Sequence, residues 1–547
     1  MQAFAHLLDR LSYEPRRLGK LTLIEAHLRD TPDPERGFAL AALTGALSFR
    51  HAKAGLIRTL LTERTDPVLF ALSYDYVGDL SETAALMWPA QPTKVEDARP
   101  PRLSEVVDTL STLSKADLPG QIARWLDSLD EIGRWALLKL ITGGLRVGVS
   151  ARLAKTAAAR LGDVDVNAVE EVWHGLSPPY EPLFAWLEKR GPVPAFEDPA
   201  PFRPAMLAHP IEEEAFSGLD AADFLVEWKW DGIRVQAAAG LDADGRRVAR
   251  LYSRTGEDIS AAFPDLLSAF EFDGAVDGEL LIVREGRVEP FNVLQQRLNR
   301  KTVTAKMQAA FPPVIRLYDA LVLEGEDLRT LPFLERRRRL EAFVAAMGDD
   351  RIDLSPLVPA PSWEAITAAR ADPATAGAGA DADAVEGVML KRADSAYVPG
   401  RPKGLWFKWK RDPFSVDAVL MYAQRGHGKR SSFYSDYTFG VWRQAEEGGE
   451  ELVPVGKAYF GFTDEELRKI DAFVRRNTIN RFGPVREVVH DAAEGLVLEI
   501  AFEGLNRSTR HKSGVAMRFP RVARLRWDKP PGEADRIETL KALLPRE

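Results

Sequence analysis

The chain has 547 residues, 45% hydrophobic and 28% charged, with net charge −8 and no cysteine, so disulfides, thiolate zinc sites and cysteine nucleophiles are excluded. Length alone predicts about three to four domains. The first residues, MQAFAHLLDRLSYEPRRLGK, lack a signal-peptide core, and no run nears the roughly 18 apolar residues of a membrane span, so a cytoplasmic location is expected.

Residues 1 to about 190 read as helical, because apolar residues recur at three- and four-residue spacing in Phe4-Leu7-Leu8-Leu11, Ala39-Leu40-Leu43 and Trp135-Leu137-Leu138-Leu140-Ile141. Gly78-Asp79-Leu80-Ser81-Glu82-Thr83 carries a helix-start signature, with Asp79 or Ser81 as the cap. Leu138 to Ser150 pairs glycines with basic residues. On those residues alone a plain helix–turn–helix connection is favoured over a backbone that approaches phosphates. Dense proline from Pro178 to Pro204 suits an extended linker, and the first domain is expected to end near residue 200.

Residues 205–410 mix short β-type runs with helices and predict an α+β domain of largely antiparallel strands. Strands are expected at 248–253, 274–283 and 314–322. The run Leu334-Glu335-Arg336-Arg337-Arg338-Arg339-Leu340 reads as a charged helix with a solvated face, and 364–384 as a helix end with a flexible loop that carries no chemistry. From 412 to 547, expected strands at 415–422, 438–442 and 496–502 suit a small β-barrel of the oligonucleotide-binding (OB) fold. Residues 501–530 hold eight Lys or Arg against two Asp or Glu, which is either a solvated basic edge or a phosphate-facing surface.

The apolar run Phe224-Leu225-Val226 leads into Glu227-Trp228-Lys229-Trp230-Asp231-Gly232-Ile233-Arg234. On a strand Glu227, Lys229 and Asp231 share one face and Val226, Trp228 and Trp230 the other. A lone strand lysine usually snorkels to water; one held among rings and nearby cations is a candidate nucleophile. Four more stretches place charge on apolar strands: Ser253-Arg254-Thr255-Gly256-Glu257, Val276-Asp277-Gly278-Glu279-Leu280, Val385-Glu386-Gly387-Val388-Met389-Leu390-Lys391 and Leu405-Trp406-Phe407-Lys408-Trp409-Lys410. Buried singly they cost free energy. Together they supply two carboxylates for a hard cation, two lysines for a phosphate and one lysine to attack phosphorus, which is the inventory of nucleotidyl transfer.

Lys229-Trp230-Asp231-Gly232-Ile233-Arg234 resembles the KxDGxR motif of the covalent nucleotidyltransferases, and the other four stretches resemble that superfamily's later motifs in the same order. Ser253 to Asp258 with Phe263-Pro264, Phe291 to Arg297, Tyr318-Asp319, and Arg510 to Arg521 with Arg526-Trp527-Asp528-Lys529 resemble the ATP-dependent DNA ligases, and Gly78-Asp79-Leu80 and Leu140 to Gly148 loosely resemble their N-terminal DNA-binding domain. The resemblance implies three domains: an all-α DNA-binding domain (1–200), a nucleotidyltransferase domain with ATP-grasp-like antiparallel sheets (205–410) and an OB-fold domain (412–547). It implies ATP and Mg2+ as cofactors, and nicked duplex DNA as substrate for a nucleoid-associated monomer that encircles it in repair, replication or recombination.

The roles that follow are also those the resemblance implies. Lys229 would carry AMP, Glu227 read the adenine amine, and Tyr318 stack on adenine where many relatives have phenylalanine. Arg234 and Arg254 would contact phosphate or ribose. Glu279 would bind ribose or metal, Glu386 metal, and Lys408 and Lys410 the α-phosphate. Arg401 is assigned to the nucleotide, although its spacing to Lys408 departs by one residue from the family pattern. Arg526 and Lys529 would orient pyrophosphate, and Lys410-Arg411-Asp412-Pro413 would be the hinge. Asp231 is equally readable as a turn residue before Gly232. An RNA ligase or capping enzyme fits the helical domain and C-terminal segment less well, a NAD-dependent ligase would bring a cysteine zinc site, and an inert DNA-binding scaffold would not need the lysine and both carboxylates.

Overall fold

Apolar residues at helical spacing in the first 160 positions become buried helix faces. The computed structural model describes residues 1–77, 79–89, 99–195, 198–298, 300, 302–425, 433–445, 448–509 and 511–544. These belong to two compact units: Met1–Leu161 with Pro178–Glu181 and Asp412–Glu547, and Gly162–Ser177 with Pro182–Arg411.

In the first unit, α-helices run from Gln2–Tyr13 to Ala151–Leu161. Phe4, Leu7, Leu8 and Leu11 are all buried, as are Leu40, Leu43, Leu137 and Leu138. Each such side chain contributes roughly 1.5–3 kcal/mol relative to exposure. Asp79, not Ser81, caps helix Leu80–Met87: it accepts from the amides of Ser81 (2.9 Å) and Glu82 (3.1 Å) and from Lys139 Nζ (2.6 Å). Gly78 lies outside the described residues. Helix Glu131–Thr142 ends on Gly143, whose φ of +73° closes the helix without a Cβ penalty. Beyond it, Arg17, Lys20, Arg146, Ser150 and Arg152 line a cleft of about 710 Å³.

In the second unit the strands are β1 His209–Pro210, β2 Phe224–Trp230, β3 Ile233–Leu241, β4 Arg247–Ser253, β5 Gly274–Arg284, β6 Arg287–Val288, β7 Pro313–Leu323, β8 Glu326–Asp327, β9 Ile352–Leu354, β10 Val385–Arg392 and β11 Trp406–Lys410. They form a four-stranded sheet, β1-β11-β10-β2, and a seven-stranded sheet, β4-β3-β5-β7-β8 with β6 on β5 and β9 on β7. All pairs are antiparallel except β1–β11 and β7–β9.

Three readings of this unit are corrected. The four-arginine run is not simply a solvated face, because Arg336 and Arg337 of helix Phe333–Met347 are buried. Arg336 forms two bonds to buried Asp319 (2.8 and 3.0 Å), a pairing that sequence spacing along one helix cannot reveal. Nor is the end of 364–384 an open loop: Ala374–Ala378 and Gly379–Ala384 form helical turns, and Asp381 accepts from the Val288 amide (2.9 Å) and pairs with Arg316 (3.2 Å). The end of the proline-rich passage is no loose connector: Ala200 and Phe202 are buried with Met206, Tyr252 and Trp406. Helix Val166–Trp173 also belongs to this unit.

The remaining strands of the first unit are β12 Phe414–Arg425, β13 Tyr434–Gln444, β14 Glu450–Ala458, β15 Thr478–Phe482, β16 Val485–Val488, β17 Val497–Phe502, β18 Gly504–Arg507, β19 Val515–Arg518 and β20 Arg521–Arg526. Long β12 pairs with β13, β16 and β17, and β17 with β20, so the sheet curls on a core that includes Leu420, Tyr437, Phe439, Leu498 and Phe502. Helix Asp464–Arg476 adds Leu467, Ile470 and Val474. Its Thr463 and Glu466 form a reciprocal capping box. Arg510 lies outside the described residues.

Candidate active site

Alternation along β2 separates the apolar from the charged residues. Val226, Trp228 and Trp230 enter a core with Val385, Val388, Leu390 and Trp409. Lys229 and Glu227 occupy the opposite face. Lys229 Nζ donates to Glu386 Oε1 on β10, and Lys410 Nζ on β11 lies 3.2 Å from Glu386 Oε2. One carboxylate therefore holds two lysines from two neighbouring strands.

Two glycines permit this geometry. Gly387, at φ +144°, sits in a β-bulge on β10, where a Cβ would collide with the backbone oxygen of Trp409. At Gly232 a Cβ would lie 2.6 Å from the Leu280 carbonyl oxygen, so only glycine lets the β2–β3 turn press against β5 beside Glu279.

Glu279 faces Arg234 across β3–β5 and Arg316 across β5–β7. Its pKa is pushed up to about 7, chiefly by burial; Glu386 and Asp231 add to the rise, while Lys229 and Arg234 oppose it. Burial alone would also raise the Glu386 carboxyl, but the charge and hydrogen bond of Lys229, with Lys410, hold it below the usual glutamate range. Lys408 is lowered from the usual lysine value, first by burial and then by Lys229, Lys410 and Arg401. Among the described residues no group of three or more His, Asp or Glu side chains forms a metal cluster. Glu279 and Glu386 nevertheless fit Mg2+, which takes one or two carboxylates and fills its other positions with water and phosphate oxygens. A half-buried acid with raised proton affinity beside another carboxylate is the donor chemistry that a cation relieves.

Arg234 is held on three sides: Nη2 donates to Asp277 Oδ2 (2.6 Å) and the Tyr397 hydroxyl (3.0 Å), and Nη1 to the Met206 carbonyl. Tyr397 donates in turn to Asp277 (2.6 Å). The Tyr318 ring lies 5.9 Å from the Arg234 guanidinium and 4.3 Å from Lys391 Nζ. Glu227, 1% exposed, receives Arg337 Nη1 at 2.8 Å and Lys391 Nζ at 2.6 Å. Arg254 is exposed on the turn after β4, and Arg401 is exposed with its carbonyl 3.2 Å from His209 Nε2. Asp231 donates its amide to the Ala384 carbonyl (2.7 Å), which continues the β2–β10 pairing one residue beyond Trp230 and Val385. Arg526 and Lys529 belong to the other unit, where both hold Asp417 Oδ2, at 3.0 and 2.8 Å.

Sequence reading missed Asp277, Tyr397, Arg337 and Lys391 as supports of the site. Asp277 and Lys391 stood inside quoted motifs, and their burial beside charged partners was the missing signal. Tyr397 and Arg337 lay outside every motif.

A lysine, two carboxylates and two more lysines on adjoining antiparallel sheets define a nucleotidyltransferase-type domain, followed by a β-rich domain. The sequence profile described as "ATP dependent DNA ligase domain" matches residues 205–410, and "ATP dependent DNA ligase C terminal region" matches 430–529. A probable DNA ligase of Koribacter versatilis is 30% identical over 98% of this chain and 95% of its own length. A DNA ligase of Methanoculleus marisnigri is 33% identical over 76% of this chain and 71% of its own length. The solved structure named Pmar-Lig_PreS3 shares the fold with a TM-score of 0.58 at 15% identity, over 96% of this chain and 99% of that one. The chain belongs to the ATP-dependent DNA ligases. Among the described residues no helix is long and apolar enough to cross a membrane.

Proposed function

We propose that Lys229 carries AMP as a phosphoramidate and passes it to the 5′-phosphate of a nick in duplex DNA. The observation that carries this reading is the Lys229–Glu386–Lys410 cluster: a partly exposed amine on a rigid strand, paired with a carboxylate that a second lysine shares. In the first step Lys229, as the neutral amine, attacks the α-phosphorus of ATP with its nitrogen lone pair, the bond from that phosphorus to the α–β bridging oxygen breaks, pyrophosphate leaves, and the nitrogen releases one proton to solvent and keeps one N–H. In the second, a 5′-phosphate oxygen attacks the same phosphorus and Lys229 leaves as the amine. In the third, the adjacent 3′-hydroxyl attacks the DNA phosphate and AMP leaves. Each step is an in-line displacement that depends on positioning.

Glu279 and Glu386 would hold Mg2+, which when bound neutralises phosphate charge. Lys408 and Lys410 bind the α-phosphate, and Arg234 and Arg254 contact phosphate or ribose. Arg401 joins them at the nucleotide. Tyr318 stacks on adenine beside Glu227. Arg526 and Lys529 orient pyrophosphate by leaving Asp417, with Lys410–Pro413 as hinge. The domains in this reading are 1–200 for DNA, 205–410 for adenylation and 412–547 as an OB fold, in a monomer that encircles DNA near the nucleoid. Support for the DNA role of the helical region comes from its basic cleft at Arg17, Lys20, Arg146 and Arg152.

The test is to load the protein with α-phosphate-labelled ATP and Mg2+, then chase with nicked DNA. A covalent label that Lys229→Ala abolishes and nicked DNA discharges is expected. A label that survives Lys229→Ala, or one discharged by nicked RNA alone, overturns the reading.

A further inference from the structure

Beside the partly exposed Lys229, strand β2 carries a nearly enclosed ionic triad, Arg337–Glu227–Lys391, with side chains only 2–3% exposed. Lys391, 1% exposed, reaches Glu227 Oε2 at 2.6 Å and donates to the Tyr318 carbonyl at 3.3 Å. Its ammonium also lies 4.3, 4.8 and 4.7 Å from the ring centres of Tyr318, Phe333 and Trp406, a three-sided aromatic cage. Arg337 fixes the other carboxylate oxygen at 2.8 Å and is itself tied to the Ser355 carbonyl at 2.7 Å and to Glu341 at 2.8 Å. A buried charge pair with every member bonded is rigid, and breaking it is costly. Nothing in the phosphate chemistry requires such a device on the strand that carries Lys229.

We infer that Lys391, with Arg337, is a positioning residue that sets base selectivity by locking Glu227 as an acceptor beside Tyr318. The inference rests on the reading that Glu227 and Tyr318 contact the base. A carboxylate offers about four lone-pair sites, and here one donor occupies each oxygen, so acceptor capacity remains and donor capacity is nil. A purine with a 6-amino group can donate to it. A 6-oxo purine places acceptor against acceptor in a desolvated site, the kind of mismatch that discriminates strongly. Lys391 is bonded to both base-contacting residues, so it sets the distance between the stacking ring and the edge-reading carboxylate.

The experiment compares Lys229 labelling by ATP and by inosine triphosphate, which differ only at the purine 6-position and the N1 proton that accompanies it. Wild type, Lys391→Met, Glu227→Gln and the double variant are measured as ratios of kcat/KM, with thermal melts as a folding control. Lys391→Met is expected to lower the ATP-over-inosine ratio by at least about tenfold, mainly through KM for ATP. The double variant, which leaves no unpaired carboxylate, should match Glu227→Gln alone, because Lys391 acts through Glu227. If Glu227→Gln collapses the ratio while Lys391→Met preserves it, the positioning role is overturned and the reading of Glu227 stands. If Glu227→Gln leaves the ratio unchanged, the base-reading assignment itself fails. If Lys391→Met does not fold, the double variant decides: a ratio below that of Glu227→Gln overturns the inference.

Discussion

Two charged clusters of the second unit differ in one respect. Arg336–Asp319 is a closed pair, with both side chains fully buried and bonded twice. Lys229–Glu386–Lys410 is open, with side chains 20, 23 and 38% exposed. Closed pairs resist change because parting them leaves a charge in low dielectric. Open ones exchange partners at small cost, since water screens the loss. A nucleophile must release its carboxylate to reach phosphorus, so an open cluster suits the reaction and a closed one suits the scaffold.

The sharpest way to break this contrast is to mutate each cluster and read both activity and stability. Lys229→Ala should reduce covalent labelling to background, yet shift unfolding by no more than about 1 kcal/mol, because its partner is partly solvated. Arg336→Met should do the reverse, costing about 3–5 kcal/mol in denaturant unfolding by stranding Asp319. Adding Asp319→Leu should restore part of that stability, and failure to do so would mean the loss is packing and not charge.

Glu279 sharpens the comparison through pH. Its folded pKa of about 7 lies above the ordinary 4.5, so the folded state holds the proton more tightly. Stability from this group is therefore full below about 4.5 and is lost as pH rises to about 7. The loss amounts to about 3–4 kcal/mol at most, since the rise from 4.5 to about 7 is 2.5 units and one unit is about 1.4 kcal/mol. Unfolding measured without divalent cations should show that decline in wild type and a flatter profile in Glu279→Gln. The smallest effect belongs to Lys410→Met, expected to change unfolding by about 0–1 kcal/mol while slowing labelling, measured by single-turnover kinetics.

The chain order of motifs singled out Lys229, Glu279 and Glu386, and the structure brings them together: Lys229 bonds Glu386, and the charges of both act on Glu279. Helical spacing likewise marked Phe4, Leu7, Leu8 and Leu11 as a buried face. What spacing could not show was which charges meet. Arg337 lies 110 positions from Glu227, and Tyr397 lies 120 from Asp277. Four arginines in a row look alike along a chain, yet on a helix they point in different directions. Two turned inward and found carboxylates, and two stayed outside on Glu335. Local sequence determined which elements form and where charge interrupts their apolar faces, since periodicity and backbone freedom are local properties. Only the tertiary structure decided which charges are closed into the scaffold and which remain open to react, because that depends on burial and on partners brought together from distant strands.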